Sequence, residues 1–211
     1  MERKYGALLS PTDLRDFRVA SSVTNVELPE EFRLNSTTIK DQGAVNSCVA
    51  HTLSEMLENR YKKNYSTGWI YGYRPEGYYQ GSGMYTRDAL KTLNKVGAVE
   101  NDKFNYNIEM IEAKVKVDQD IDLLEEEASN LKIKAYARLY TEREIKSWLY
   151  IKNTPVPIAI ATENLVLDEN AIIQIPKIYP NSGHAILIIG WNDTGFIIQN
   201  SWRKRLAEKM V

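Results

Sequence analysis

Asp41-Gln42-Gly43-Ala44-Val45-Asn46-Ser47-Cys48-Val49-Ala50-His51 is the stretch on which the rest of this chain turns. It holds the only cysteine of the protein, a glutamine six residues before it and, from Ser47 onward, the start of a helical pattern. Val49, Ala50, Leu53, Met56, Leu57 and Tyr61 recur at threes and fours, which predicts a central buried helix over about 47–62. Glu55, Glu58, Arg60 and Lys62 fall largely off that stripe, and Gly43 suits a turn delivering the chain into the helix. A thiol at a helix start meets unpaired N–H groups and the positive end of the dipole, which favour the thiolate. A lone cysteine is equally well a small buried apolar residue. On this stretch alone the two readings are even.

The remainder of the composition narrows the setting. The chain has 211 residues, 43% hydrophobic and 26% charged, which suits one domain or one domain with two lobes. A net charge of -1 gives no reason to expect nucleic acid or an anionic membrane as a partner. One cysteine rules out a disulfide within the chain. The start, Met1 to Pro11, lacks the apolar run of a signal peptide, and no segment is apolar for long enough to span a bilayer, so a cytoplasmic setting is expected.

Residues 1–27 show no regular spacing and read as an extended arm lying on the domain, or as a disordered terminus. Residues 64–85 mix six tyrosines with five glycines and read as an irregular loop. Thr86 is expected to cap a helix bearing Ala89, Leu90, Leu93 and Val96 that Gly97 closes. Another helix is predicted over 108–131, where Glu125-Glu126-Glu127 is a solvated face. Beyond 131 the pattern becomes strand-like: 132–140, 156–161, 185–191 and 196–199, with a turn at Asn192-Asp193-Thr194-Gly195. Thr141 and Glu144 form a capping box for a short helix between the first two. Helices first and strands second predict an α+β fold with segregated lobes, helical over about 28–131 and sheet over about 132–211.

Two histidines are candidates for a base. His51 lies i,i+3 from Cys48 on one helix, but no orienting group is evident for it. Zinc on Cys48 and His51 would lack a second ligand cluster, so no metal is expected. His184 opens the very apolar strand 185–191 and needs a hydrogen-bond partner there. The hairpin brings Gln199-Asn200-Ser201-Trp202 back beside it, so Asn200 can reach its ring. A nucleophile, a base and a residue orienting the base then come from separate parts of the chain.

These residues resemble the papain-like cysteine peptidases. Asp41-Gln42-Gly43 with Ser47-Cys48 is similar to the family's cysteine segment, Gly183-His184-Ala185 to its histidine strand and Asn200-Ser201-Trp202 to its asparagine motif. His184 follows Cys48 by 136 residues, within the family's range. The similarity covers about 28–202. It implies a two-lobed fold with a central helix, an antiparallel sheet lobe and a cleft between them. It implies a peptidase without cofactor, acting on peptide or protein substrates through an acyl-enzyme. Cys48 would be the nucleophile, paired with His184 as thiolate and imidazolium, and Asn200 would orient the ring under the shield of Trp202. Gln42 would serve the oxyanion with the Cys48 N–H. Gly81-Ser82-Gly83-Met84 resembles the loop that pairs with substrate backbone, and Ala159 and Ala185 would line a substrate pocket.

Two departures from the family carry expectations of their own. Val45 and Val49 stand where the family often has a disulfide cysteine and an aromatic, which fits a bacterial-type or intracellular branch. Some of that branch carry an arm like 1–27, which could enter the cleft as an inhibitory pro-segment. After Asn-Ser-Trp the family continues with glycine and further strands, whereas this chain reads Arg203-Lys204-Arg205-Leu206 to Val211. A one-base shift in likely codons would read Gly-Lys-Asp-Trp, so a frameshifted or shortened tail is expected. An impaired, peptide-binding or scaffold protein is then the alternative function.

Overall fold

The protein is described from a computed structural model that covers residues 5–14, 16–19, 24–74, 83–105, 110–161 and 183–202. The expected tail at 203–211 and the Gly81-Ser82 pair lie outside the described residues. Helix α1, Cys48–Tyr61, is the long axis of the helical half. Lys62 ends it in the left-handed region at φ 60°, returning its N–H to Glu58 O at 2.8 Å. Its polar side is not solvated as the periodicity suggests. Glu55 and Asn59 are buried because the chain at 35–40 runs over them. Asn59 donates to Asn35 O at 2.7 Å and Lys40 N–H donates to Glu55 at 2.9 Å. The helix is buried almost all round, and its polar groups find backbone partners there.

The sheet is built on β5, Gly183–Trp191, whose nine residues are all buried. The uninterrupted apolar run follows from burial of both faces of the strand. β4, Val156–Ala161, runs antiparallel to it, with Ala159 opposite Ala185 and Ile160 opposite His184. β6, Phe196–Gln199, returns through the predicted hairpin, whose Asn192 N–H donates to Gly195 O at 3.0 Å. β2, Phe32–Arg33, extends the pairing at Gly190 and Trp191. β1, Ala7–Leu8, pairs antiparallel with β5 at Gly183 and parallel with β3, Met84–Tyr85. The sheet is therefore not wholly antiparallel. Part of the arm is also a core element, with Ala7 fully buried.

Four local expectations need correction. Thr67–Gly72 is a helix, α2, inside the segment read as irregular loop. Ser66 caps it by accepting Trp69 N–H at 3.0 Å, and buried Trp69 donates its indole N–H to Gly97 O at 3.1 Å. Burial of that ring outweighs the low helix propensity of two glycines. Helix α3, Thr86–Lys95, begins at Thr86 with Tyr85 in the capping position and no side-chain cap. It does close at Gly97, which has φ +119° and donates to Thr92 O at 3.1 Å. The helix over 108–131 is two, α4 Met110–Gln119 and α5 Ile121–Ser129, broken at Asp120. Residues 132–140 form no strand. Their backbone is committed elsewhere: Ile133 N–H donates to Leu93 O at 3.1 Å, and Asn94 caps the carbonyls of Ile133 and Lys134. Only Arg138 bridges, to Arg18 of the arm. Thr141 and Glu144 do form their capping box, opening α6, Glu142–Lys152.

Candidate active site

Cys48 is the first residue of α1, so its backbone N–H is one of the helix's unpaired donors. Five residues upstream the chain turns through Gly43, at φ +57°, where Asp41 accepts its N–H at 3.1 Å. That turn lays Gln42 beside the helix start, 1% exposed. Its side-chain nitrogen donates to Val45 O at 3.0 Å, and its backbone N–H donates to Ser201 O at 3.1 Å. Asp41 also bridges to Trp202. The cysteine segment and the Asn-Ser-Trp segment are thus laced together by main-chain pairing.

On the sheet side, His184 is the second residue of β5 and is fully buried. Its Nε2 lies 2.8 Å from Asn200 Oδ1, which follows directly on β6. A carboxamide oxygen can only accept, so the imidazole carries its proton on Nε2 and presents Nδ1 as the other face. Trp202 stacks on the ring, with centroids 4.3 Å apart and planes at 19°. The backbone of Ala185, next to His184, hydrogen-bonds the Cys48 thiol. α1 and β5 therefore meet at Cys48 and Ala185, the residue next to His184. His51 does not join them: its Nδ1 is 3.0 Å from Ser47 O, its own helix backbone.

The arm fills the remaining space. Gly6 backbone hydrogen-bonds the Cys48 thiol, and Gly6 O accepts Met84 N–H at 2.8 Å. Tyr5 sets its ring edge-on to both His184 and Trp202, at 5.9 and 6.1 Å. Gly83, at φ +102°, lies so near that a Cβ there would stand 2.2 Å from Gly6 O. Gly83 and Met84 thus face the arm, while Ala159 and Ala185 sit opposite one another on β4 and β5 behind it. With Cys48 sealed at 0% exposure, burial pushes its thiol above its usual value, and the Ala185 and Gly6 hydrogen bonds only partly offset this.

Sequence reasoning passes over four participants. Tyr5 and Gly6 carry no periodic signal and reach the site only through the topology. Arg74, buried across the Tyr71 ring at 3.8 Å, donates to Gly83 O at 3.2 Å and braces that loop. Ser201 sits unremarked between two residues whose roles the motif supplies. Among the described residues no group of three histidine, cysteine or acidic side chains could hold a metal ion. No helix there is long and apolar enough to cross a membrane.

The family profile described as papain family cysteine protease matches residues 28–210, and the chain belongs to that family of peptidases. Xylellain, a cysteine protease from Xylella fastidiosa, superposes with a TM-score of 0.75 at 24% identity, over 96% of this chain and 87% of that one. Procathepsin L 3 from the larval midgut of Tenebrio molitor gives 0.69 at 15%, over 94% and 66%. The cysteine protease and lectin-like domains of Cwp84 from Clostridium difficile give 0.65 at 16%, over 98% and 51%. At these identities the likeness is one of fold: α+β, with the two lobes of papain. A comparison with curated protein sequences finds no match.

Proposed function

We propose that this protein hydrolyses peptide bonds with Cys48 as nucleophile, and that its own N-terminal segment holds it closed. The supporting observation is the 2.8 Å contact of His184 Nε2 with Asn200 Oδ1 under the stacked Trp202. With Nε2 so engaged, Nδ1 is the nitrogen that takes the Cys48 proton once the arm withdraws and water reaches the thiol. The resulting imidazolium stabilises the thiolate, aided by the start of α1. Attack on the scissile carbonyl places negative charge on its oxygen, which the Cys48 N–H and the Gln42 amide receive. The imidazolium gives its proton to the departing amine, leaving an acyl-enzyme that water cleaves by the reverse proton path. Gly83 and Met84 offer backbone to an extended peptide where β1 now pairs, and Ala159 and Ala185 line the wall behind.

An epoxide or vinyl-sulfone thiol inhibitor, offered to the chain with its arm released, labels Cys48 if this reading holds. A reporter peptide is then cleaved by that form and not by its Cys48→Ala variant. Absence of labelling in folded, arm-released protein sinks the enzyme reading and leaves the peptide-binding scaffold.

A further inference from the structure

We propose that Gln199 is a positioning residue for the catalytic pair: its side chain ties the end of β6 to α1 and so fixes where Asn200 and His184 stand relative to Cys48. The inference rests on the hydrolase reading above and deepens it. β6 is an apolar strand whose buried positions are Ile197 and Gln199. A carboxamide at the second of these is costly unless its polar atoms are bonded. Its oxygen accepts Thr37 N–H at 3.2 Å, its nitrogen donates to Thr37 Oγ1 at 2.8 Å, and the side chain also hydrogen-bonds the buried Glu55 of α1. Glu55 in turn accepts Lys40 N–H at 2.9 Å. Lys40 and Glu58 are the charged groups that face Glu55, and the Lys40 ammonium lies 3.5 Å from Glu58 and bonds Asn64. One side chain of β6 thus grips both α1 and the segment 37–40 that runs over it.

The sheet ladder alone does not hold Asn200. β6 pairs with β5 through a shift of register between Ile188 and Gly190, and the pairing ends at Gln199 opposite Leu187. Asn200 comes next, outside the strand, and the chain is caught again where Gln42 N–H donates to Ser201 O. Asn200 therefore hangs between two anchors, and both attach to the stretch 37–42 that leads into α1. The Ser201 anchor is main chain and survives substitution, whereas the Gln199 anchor is a side chain and can be removed by itself. Cys48 begins α1 and Glu55 lies two turns along it. The tie thus joins the helix bearing the nucleophile to the strand leading to the group that orients the base. Loosening it shifts Asn200 and the imidazole bonded to it, while the surface that meets the substrate stays in place. A displacement of that kind costs rate rather than binding.

The test uses the whole chain in the arm-releasing Gly6→Leu background, whose added side chain the Asn46 backbone leaves no room for. Gln199→Met keeps the volume and removes the bonds. It moves the pH profile of Cys48 alkylation upward, because a displaced imidazolium favours the thiolate less, and lowers kcat on a reporter peptide about tenfold with KM unchanged. Thr37→Val, at a half-buried position, moves both in the same direction, with kcat down about threefold. Ile197→Ala, on the same buried face of β6, lowers stability but leaves the alkylation profile where it is. A profile unmoved in Gln199→Met, or moved equally in Ile197→Ala, overturns the inference; if Gln199→Met does not fold, Thr37→Val decides in the same way. If no form is alkylated or cleaves peptide, the hydrolase reading fails by itself. The His184 Nε2 proton, followed by NMR, then decides whether Gln199 positions the ring: its exchange with solvent speeds about tenfold in Gln199→Met, and unchanged exchange overturns the inference.

Discussion

Gly6 is pressed against Asn46 so closely that a Cβ on Gly6 would lie 1.9 Å from the Asn46 carbonyl oxygen and 2.5 Å from its carbon. Both clashing atoms are backbone at the entrance to α1, so no side chain can swing aside to make room. On its other side Gly6 O is tied to Met84 N–H. A residue with any side chain at position 6 must therefore lift the arm away from Cys48. Gly6→Leu is expected to raise the rate of Cys48 alkylation by at least tenfold at pH 7. It also moves the pH-dependence of alkylation to lower pH, because burial no longer holds the thiol up. Equal alkylation rates in wild type and variant, measured by intact-mass spectrometry, would show that the arm does not close the site.

The arm has a second anchor away from the cleft. Asp16 accepts from Arg87 at 2.6 Å and Arg138 at 3.4 Å, and Arg87 also donates to Pro11 O at 2.7 Å. The Asp16 side chain is 9% exposed, so this cluster is more than a solvated surface pair. Asp16→Asn leaves the two guanidinium groups facing each other without their shared counter-charge. The expected result is Cys48 alkylation several-fold faster than wild type, with the helical signal by circular dichroism unchanged. Arg87→Met should act in the same direction, and an effect confined to overall melting would argue against an anchor.

The sequence made the places of Cys48, His184 and Asn200 in the fold legible for a physical reason. Each stands where a local signal coincides with a chemical demand: a helix start, the mouth of an apolar strand, and the far side of a two-strand turn. The hairpin at Asn192 to Gly195 did the geometric work, since it fixes 184 and 200 as near neighbours. The arm was harder, because Ala7 is buried only by pairing with Met84 and Gly183, far away in the chain. Helix α2 was hidden for a similar reason. Its Trp69 is sealed by Gly97 and the core, and nothing in Thr67-Gly68-Trp69 announces that. The alternation over 132–140 misled because alternation also describes a chain that caps α3 with its backbone.

Asn200 is the residue on which the tautomer of His184 depends. Asn200→Ala removes the acceptor 2.8 Å from Nε2 and leaves that N–H buried beneath Trp202. In the Gly6→Leu background, kcat/KM on a reporter peptide is expected to fall about a hundredfold. Asn200→Asp keeps an acceptor at the same place and should lose less, with its pH profile displaced upward as the carboxylate favours the imidazolium. Comparable losses in both variants would assign Asn200 a packing role instead.

Glu55 lies two turns along α1 from Cys48 and predicts how stability varies with pH. Burial raises its carboxyl to about 7, against the opposing pull of Lys40 N–H, the Gln199 side chain and the Lys40 charge. The folded protein therefore holds a proton on Glu55 between about pH 4.5 and 7 that the unfolded chain has released. Because the native state binds more protons there, stability falls as pH rises through that window. The loss is about 3 kcal/mol when complete, from 1.4 kcal/mol for each unit between the two values. Glu55→Gln keeps an acceptor for Lys40 N–H and carries no charge at any pH. Urea unfolding should thus find variant and wild type close at pH 5, and the variant more stable by about that amount at pH 8. A wild-type advantage that grows with pH would mean that Glu55 is ionised and favourably paired throughout.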